Sequence, residues 1–332
     1  MKLNLTEARR FWQLLPTELK SPYHAPDYVA IDAGDKRATA EPFFYGFQKG
    51  GEKYFHPLHC IVTESLNVVD LESARGYGGP VSTTTNIDFL AEAHLGYETC
   101  IKELGVMVEF VRFSPVLQND AYYAGTVVEN RQTCGIDLSD YSLQHVGGNS
   151  RGNIRKAIAN GCELVVHDRP DSAIVRAFYV GYRQRMVELN ASDDYFYSED
   201  YFQLLLTKNT LLAQVVLGNK VLSQALFLLT DFVLEYHLSY TTREGMTLGA
   251  TNFLLHQMAL RQQGQQQWFH LGGGLTRHED DPLYRFKKRA GSLSFLYKTG
   301  YQIFDTTQYL HLRGRMASLD PCYPERTIFY RD

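Results

Sequence analysis

The chain has 332 residues, 44% of them hydrophobic and 21% charged, and its 37 acidic against 33 basic side chains leave a formal charge of -4. That length suits about two domains of roughly 150 residues each. The composition argues against a disordered or fibrous chain, and the charge balance against a strongly basic DNA binder, leaving room for a local basic strip. With 22 Tyr and 19 Phe, the chain has the rings for a large core and a groove lined by polar-tipped aromatics.

Cysteines stand at 60, 100, 134, 162 and 322, scattered and without a CxxC pair. That pattern points away from a disulfide framework or zinc knuckle and towards a reducing cytoplasm. Glu7, Arg9 and Arg10 interrupt the first fifteen residues where a signal peptide needs an apolar stretch. The longest apolar run, about 225–229, falls far short of the roughly 20 residues of a membrane span. A soluble cytoplasmic protein without a transmembrane segment is expected.

In chain order, PFFYGFQ (42–48), two glycines and KYFHPLHCIV (53–62) predict an aromatic hairpin. GYGGPV (76–81) predicts a glycine loop. Residues 87–105 predict a helix, with Phe89, Leu90, Ala93, Tyr97, Ile101 and Leu104 near helical spacing. A strand follows at 106–113, and one or two more at 126–138. The segment 142–161 turns polar and basic and ends in a short helix. Then come a strand at 163–168, a helix at 173–189 capped by Asp171 or Ser172, and a helix near 199–208. Strands at 211–218, 221–230 and 232–240 make a meander. Residues 241–250 predict a loop, 251–264 a helix ending at a glycine, 268–274 a strand running into glycines, 280–290 a basic helix and 292–304 a further strand. A mixed α/β fold follows.

Candidate chemistry concentrates in 211–290. Gly245, Thr247, Gly249 and Ala250 precede a helix whose free N–H groups would suit a phosphate, or else serve only to turn the chain. Gly272, Gly273 and Gly274 end a strand where α/β proteins commonly bind ligands, or form a flexible turn. Lys287 lies in the cationic run RFKKR (285–289) and reads either as an oxyanion stabiliser or as part of a solvated face. Arg151, Arg155 and Lys156 allow the same two readings. His237 shares a strand face with Glu235, which allows a base–acid pair or a hydrogen-bonded structural histidine. His56 and His59 point to opposite faces of their strand, against a metal site.

The order of a strand hairpin, YHLSYTTREGMTLGATNFLLHQMALRQQG, WFHLGGG and LYRFKKRAG resembles the C-terminal domain of the Fem-type transferases. These are the peptidoglycan-bridge aminoacyl transferases and their acetyltransferase-like relatives in the GNAT superfamily. YGGPV (77–81), VEFVRFSPVLQN (108–119) and RGNIRKAIANG (151–161) are similar to segments at matching places, so the resemblance covers nearly the whole chain. It implies two tandem GNAT-like domains: 1–145 with the tail 312–332 returning to it as a strand at 326–332, and 146–311. It implies an enzyme, with no permanently bound cofactor or metal, that moves an acyl group from acyl-CoA to an amine of a nucleotide-sugar or muropeptide-like precursor. Aminoacyl-tRNA as donor, or a non-catalytic binding role, are the alternatives.

The resemblance maps the family's Phe-Lys pair onto Phe286 and Lys287. Lys287 would steady the charge on a donor carbonyl lying between strands 232–240 and 268–271, and His237 or a water would take the amine proton. Gly245, Thr247, Gly249 and Ala250 would hold the donor. Arg112 and the loop of Tyr77, Gly78, Gly79 and Pro80 would hold the acceptor. Residues 243–250 depart from the family's Q/R-x-x-G-x-G/A loop by being stretched.

Overall fold

The computed structural model of the protein describes residues 1–36, 39–319 and 326–331. Two compact units emerge. Met1–Leu19, Tyr23–Asn130 and the chain from Tyr297 onwards form the first, and Lys20–Pro22 with Arg131–Leu296 the second. The sequence suggested borders at 145/146 and 311/312; compactness puts them inside two strands, at 130/131 and 296/297.

The first unit begins with β1 (Lys2–Leu3), α1 (Leu5–Gln13), α2 (Pro26–Lys36), β2 (Ala40–Lys49), β3 (Glu52–Thr63), β4 (Val68–Glu72), β5 (Val81–Ser82), α3 (Ile87–Leu104) and β6 (Val106–Arg112). β1 to β4 pair antiparallel in order, and β6 then lies parallel to β4. Such a parallel step needs a crossover, which α3 supplies. Asn86 caps α3 by accepting the Phe89 amide, and Gly105 at φ 64° ends it. Its buried stripe of Phe89, Ala93, Tyr97 and Ile101 packs on Phe43, Tyr45, Tyr54 and Leu58. On the other face His59 Nε2 lies 3.0 Å from the Val29 carbonyl of α2. His56 stacks instead against Tyr97 of α3, so the two histidines do point to opposite faces.

The second unit takes its first strand from β7 (Thr126–Asp137). There follow α4 (Gly148–Ala159), β8 (Glu163–His167), α5 (Ser172–Glu188), α6 (Glu199–Leu205), β9 (Thr210–Leu217), β10 (Lys220–Leu229), β11 (Val233–Thr241), α7 (Arg243–Leu248), α8 (Ala250–Gln262), β12 (Trp268–Gly273) and α9 (Pro282–Ala290). β8 to β11 pair antiparallel in order, and β12 lies parallel to β11. α4 and α8 bury Ile154, Phe253 and Leu254 against Ala225, Phe227, Leu234 and Phe269 on one face. α5 and α6 cover the other, where Phe178 packs on Tyr240.

β13 (Leu293–Ile303) and α10 (Thr306–Leu319) lead the chain back into the first unit. The units therefore repeat one plan: an antiparallel meander, a helical crossover and a parallel strand. Each is completed by an antiparallel strand that follows the other unit's run. β7 comes after β6 but pairs with β12, and β13 comes after β12 but pairs with β6.

Two expectations are corrected. Residues 243–248 are a helix, because Thr242 caps it by accepting the Gly245 amide and Gly249 ends it in the left-handed conformation. Residues 326–331 are irregular: Phe329 and Tyr330 cover Val68, Met107 and Val108, and the Tyr330 hydroxyl donates to Asp70. Residue 332 lies outside the described residues, as does Cys322. Among the described residues, no helix is long and apolar enough to cross a membrane.

Candidate active site

In the second unit the parallel ladder between β11 and β12 covers only Val233–Trp268, Leu234–Phe269 and Glu235–His270. Beyond those pairs the strands run on to Thr241 and Gly273 without pairing to each other. A bulge sits where they separate. Tyr236 faces Phe227 and Leu238 faces Leu226, leaving His237 as the additional residue. Bulges re-aim side chains and concentrate near functional sites.

At the last pair, His270 Nδ1 lies 2.7 Å from Glu235 Oε2, and its Nε2 lies 2.9 Å from the Thr133 hydroxyl. Both side chains are buried. This pair carries no local sequence signal: Glu235 and His270 stand on different strands, and Thr133 on a third.

Lys287 is partly buried on α9, and its Nζ donates to the Gly273 carbonyl at the end of β12 at 2.9 Å. Burial pulls its pKa down to about 8; Cys134, Asp281 and Glu235 pull the other way. α9 is held in place by Asp281, whose Oδ1 accepts the Leu283 and Tyr284 amides and whose Oδ2 accepts the Leu275 and Thr276 amides. Those bonds, led by that from Tyr284, hold its pKa below the ordinary value. The glycine run is packed around this carboxylate: a Cβ on Gly274 would stand 2.4 Å from Asp281 Oδ1. Of the basic run, Lys287 is the residue drawn inward, while Arg285, Lys288 and Arg289 are exposed. Phe286 packs against the core.

His237 points towards α6, its Nε2 2.8 Å from the Tyr201 hydroxyl. It thus belongs to the face of α5 and α6, whereas Lys287 belongs to α9, which adjoins α4 and α8. Glu235 and His237 have separate partners, His270 and Tyr201, rather than forming a pair.

The residues expected to hold the donor are largely accounted for by packing. A Cβ on Gly245 would stand 2.3 Å from the Leu222 carbonyl of β10. Gly249, at φ +76°, joins α7 to α8 and would bring a Cβ to 2.6 Å from the Asn153 carbonyl of α4. Gly249, Ala250 and Asn252 are buried at the start of α8. Thr247 is exposed, with its hydroxyl on the Arg243 carbonyl.

In the first unit the acceptor candidates are similarly tied down. Arg112 donates to the Ser73 carbonyl at 3.0 Å and lies 3.6 Å from Glu72. Tyr77 packs edge-on to Tyr23 and Tyr297. The Gly78 and Pro80 carbonyls both accept from Asn119 at 2.9 Å, and a Cβ on Gly79, at φ +91°, would meet Phe113.

No protein-family model matches the chain, and no curated protein matches it either. Solved structures do. The crystal structure of FemX superposes with a TM-score of 0.70 at 13% identity, over 94% of this chain and 99% of FemX. The fold is Fem-type. The same fold relates it to the C-terminal domain of an Agrobacterium fabrum protein assigned as a lysylphosphatidylglycerol synthetase, with a TM-score of 0.56, 13% identity and coverage of 95% and 97%. L-PGS from Bacillus licheniformis reaches 0.51 at 13% identity, covering 79% of this chain and 88% of that one.

Proposed function

We propose that the protein transfers an acyl or aminoacyl group from an activated carrier to an amine of a cell-envelope precursor. One observation carries the reading: β11 and β12 part after Glu235 and His270, and Lys287 brings an ammonium group to the end of β12. The names of the Fem-type and lysylphosphatidylglycerol synthetase neighbours agree with it.

The donor carbonyl lies in the gap between the parted strands. The amine nitrogen attacks the carbonyl carbon, and negative charge gathers on the oxygen. Lys287, still largely protonated near pH 7 because its pKa is about 8, steadies that charge. The bond from carbonyl carbon to carrier then breaks and the carrier leaves as a thiol or hydroxyl. The proton lost by the amine passes through a water to the departing carrier, because His237 is turned to the face of α5 and α6 and held by Tyr201. Glu235 and Thr133 fix His270 beside the gap as a positioning residue.

The carrier is acyl-CoA or aminoacyl-tRNA, both cytoplasmic. The exposed cations Arg155 and Lys156 on α4 and Arg285, Lys288 and Arg289 on the adjoining α9 favour the second. A thermal-shift screen with acetyl-CoA, an aminoacyl-tRNA and nucleotide sugars tests the reading. A shift with one of the two acyl carriers supports transfer and names the donor. A shift with a nucleotide sugar alone supports a binding protein instead.

A further inference from the structure

Lys287 has a chemistry beyond the charge it lends to the proposed transfer. Its neighbours Arg285, Lys288 and Arg289 are exposed, whereas Lys287 is partly buried with Nζ turned to the end of β12. Among the described residues, the partner of that nitrogen is the Gly273 carbonyl at 2.9 Å. Other lysines sit against carboxylates: Lys49 by Glu92, Lys220 by Glu244 and Lys298 by Asp120. A carbonyl accepts a hydrogen bond but brings no full charge to hold the proton.

The groups that bear on Nζ are Cys134 on β7, Asp281 at the head of α9 and Glu235 on β11. Both carboxylates are committed elsewhere. Asp281 accepts the Leu275, Thr276, Leu283 and Tyr284 amides, and Glu235 holds His270 of β12. Burial pushes the Cys134 thiol up to about 11, so it stays neutral. α4 and α8 also pack on α9, but their Arg151, Arg155, Lys156, His256 and Arg261 are not among the groups that shift Lys287. Burial therefore prevails and brings the ammonium to about 8. About a tenth of the molecules then present a free amine at pH 7, against fewer than about one in a thousand for an ordinary lysine.

We propose that Lys287 is itself an acyl acceptor, and that activated oxygen esters and thioesters acylate its Nζ. The neutral amine attacks the carbonyl carbon. The bond from that carbon to the leaving oxygen or sulfur breaks, and the proton released by the nitrogen ends on the departing alkoxide or thiolate. The product is an uncharged amide. The side chain is partly exposed, so a small ester reaches it. On the transfer reading given above, a donor held without an amine acceptor modifies the lysine that serves it, and the amide no longer steadies the oxyanion. That consequence rests on the transfer reading; the acylation of Lys287 by a free ester does not.

The test uses the full folded chain and p-nitrophenyl acetate, an ester that needs no carrier recognition. Mass spectrometry of chymotryptic peptides follows acetylation of Lys287 and of the exposed Lys288 at pH 7, at pH 10 and in concentrated urea. The expected result is a rate at Lys287 at least about tenfold above that at Lys288 at pH 7, a smaller ratio at pH 10 and equal rates in urea. Equal rates in the folded chain at pH 7, or a faster Lys288, overturn the proposal. Acetyl-CoA and an aminoacyl-tRNA are then supplied without an acceptor. Labelling of Lys287 by one of them extends the modification to that donor. Labelling by the free ester alone keeps the acyl site and counts against the transfer reading.

Discussion

Both units bury a carboxylate and a histidine in the sheet, and they treat them in opposite ways. In the second unit Glu235 holds His270, which reaches Thr133, which donates on to the Phe295 carbonyl at 3.3 Å. In the first unit Glu109 has two tyrosines, Tyr97 and Tyr123, while His56 packs among aromatic rings. The same plan of meander, crossover and parallel strand thus yields a carboxylate held against a histidine in one unit and a carboxylate held by tyrosines in the other. A histidine can share a proton with its carboxylate; phenols leave the buried carboxyl to hold its own.

Four outcomes sharpen or break this contrast. The largest effect is on the pH dependence of the first unit. The folded-state pKa of Glu109, about 7, lies above the ordinary 4.5. The folded state therefore holds a proton that the unfolded chain has released, and stability falls as pH rises from about 4.5 through 7. Glu109→Gln removes that loss. Its melting temperature should match the wild type near pH 4 and exceed it above pH 8, by an advantage of about 3 kcal/mol. Equal melting at both pH values would mean that Glu109 is not desolvated.

In the second unit the sign reverses. Glu235→Leu strands His270 Nδ1 in the interior and should cost about 1–3 kcal/mol by urea denaturation. No loss would show that the chain from Glu235 to Thr133 does not stabilise the second unit.

Gly249→Ala comes next, because it places a Cβ against the Asn153 carbonyl at φ +76°. A loss of about 1–2 kcal/mol is expected on thermal unfolding, irrespective of any donor. Wild-type stability together with lost acetyl-CoA binding would instead open the start of α8 to a phosphate. The smallest effect is Thr247→Glu, on the exposed side of α7. Its melting should stay within about 0.5 kcal/mol of the wild type. Unchanged donor affinity in that protein would remove Thr247 from the site.

Much of the fold was legible because its determinants are local. The stripe Phe89, Ala93, Tyr97, Ile101 and the glycine after it fixed α3 to within a residue of the expected 87–105. The meander β9 to β11 followed from apolar runs broken at Gly218 and Asp231. α7 was hidden because its glycine reads as a loop residue, whereas Gly245 is small to let the helix approach Leu222. The site was legible only in part. Lys287 stood out within its cationic run, but His270 depends on Glu235 and Thr133 from two other strands, and no spacing within one segment encodes that meeting. His237 was placed by simple alternation, which the bulge between Tyr236 and Leu238 interrupts. The cluster of Glu109, Tyr97 and Tyr123 is hidden for the same reason as His270: its members come together only after the sheet has formed.

The central claim is that Lys287 stabilises charge during acyl transfer in the second unit. Hydroxylamine serves as a surrogate amine, with acetyl-CoA and an aminoacyl-tRNA as donors, and hydroxamate formation is followed for the wild type, Lys287→Met and Lys288→Met. The account predicts hydroxamate from one donor, a loss of about a hundredfold in turnover for Lys287→Met at unchanged melting temperature, and near wild-type turnover for the exposed control. Equal rates in the two variants, or no hydroxamate from either donor, would contradict it.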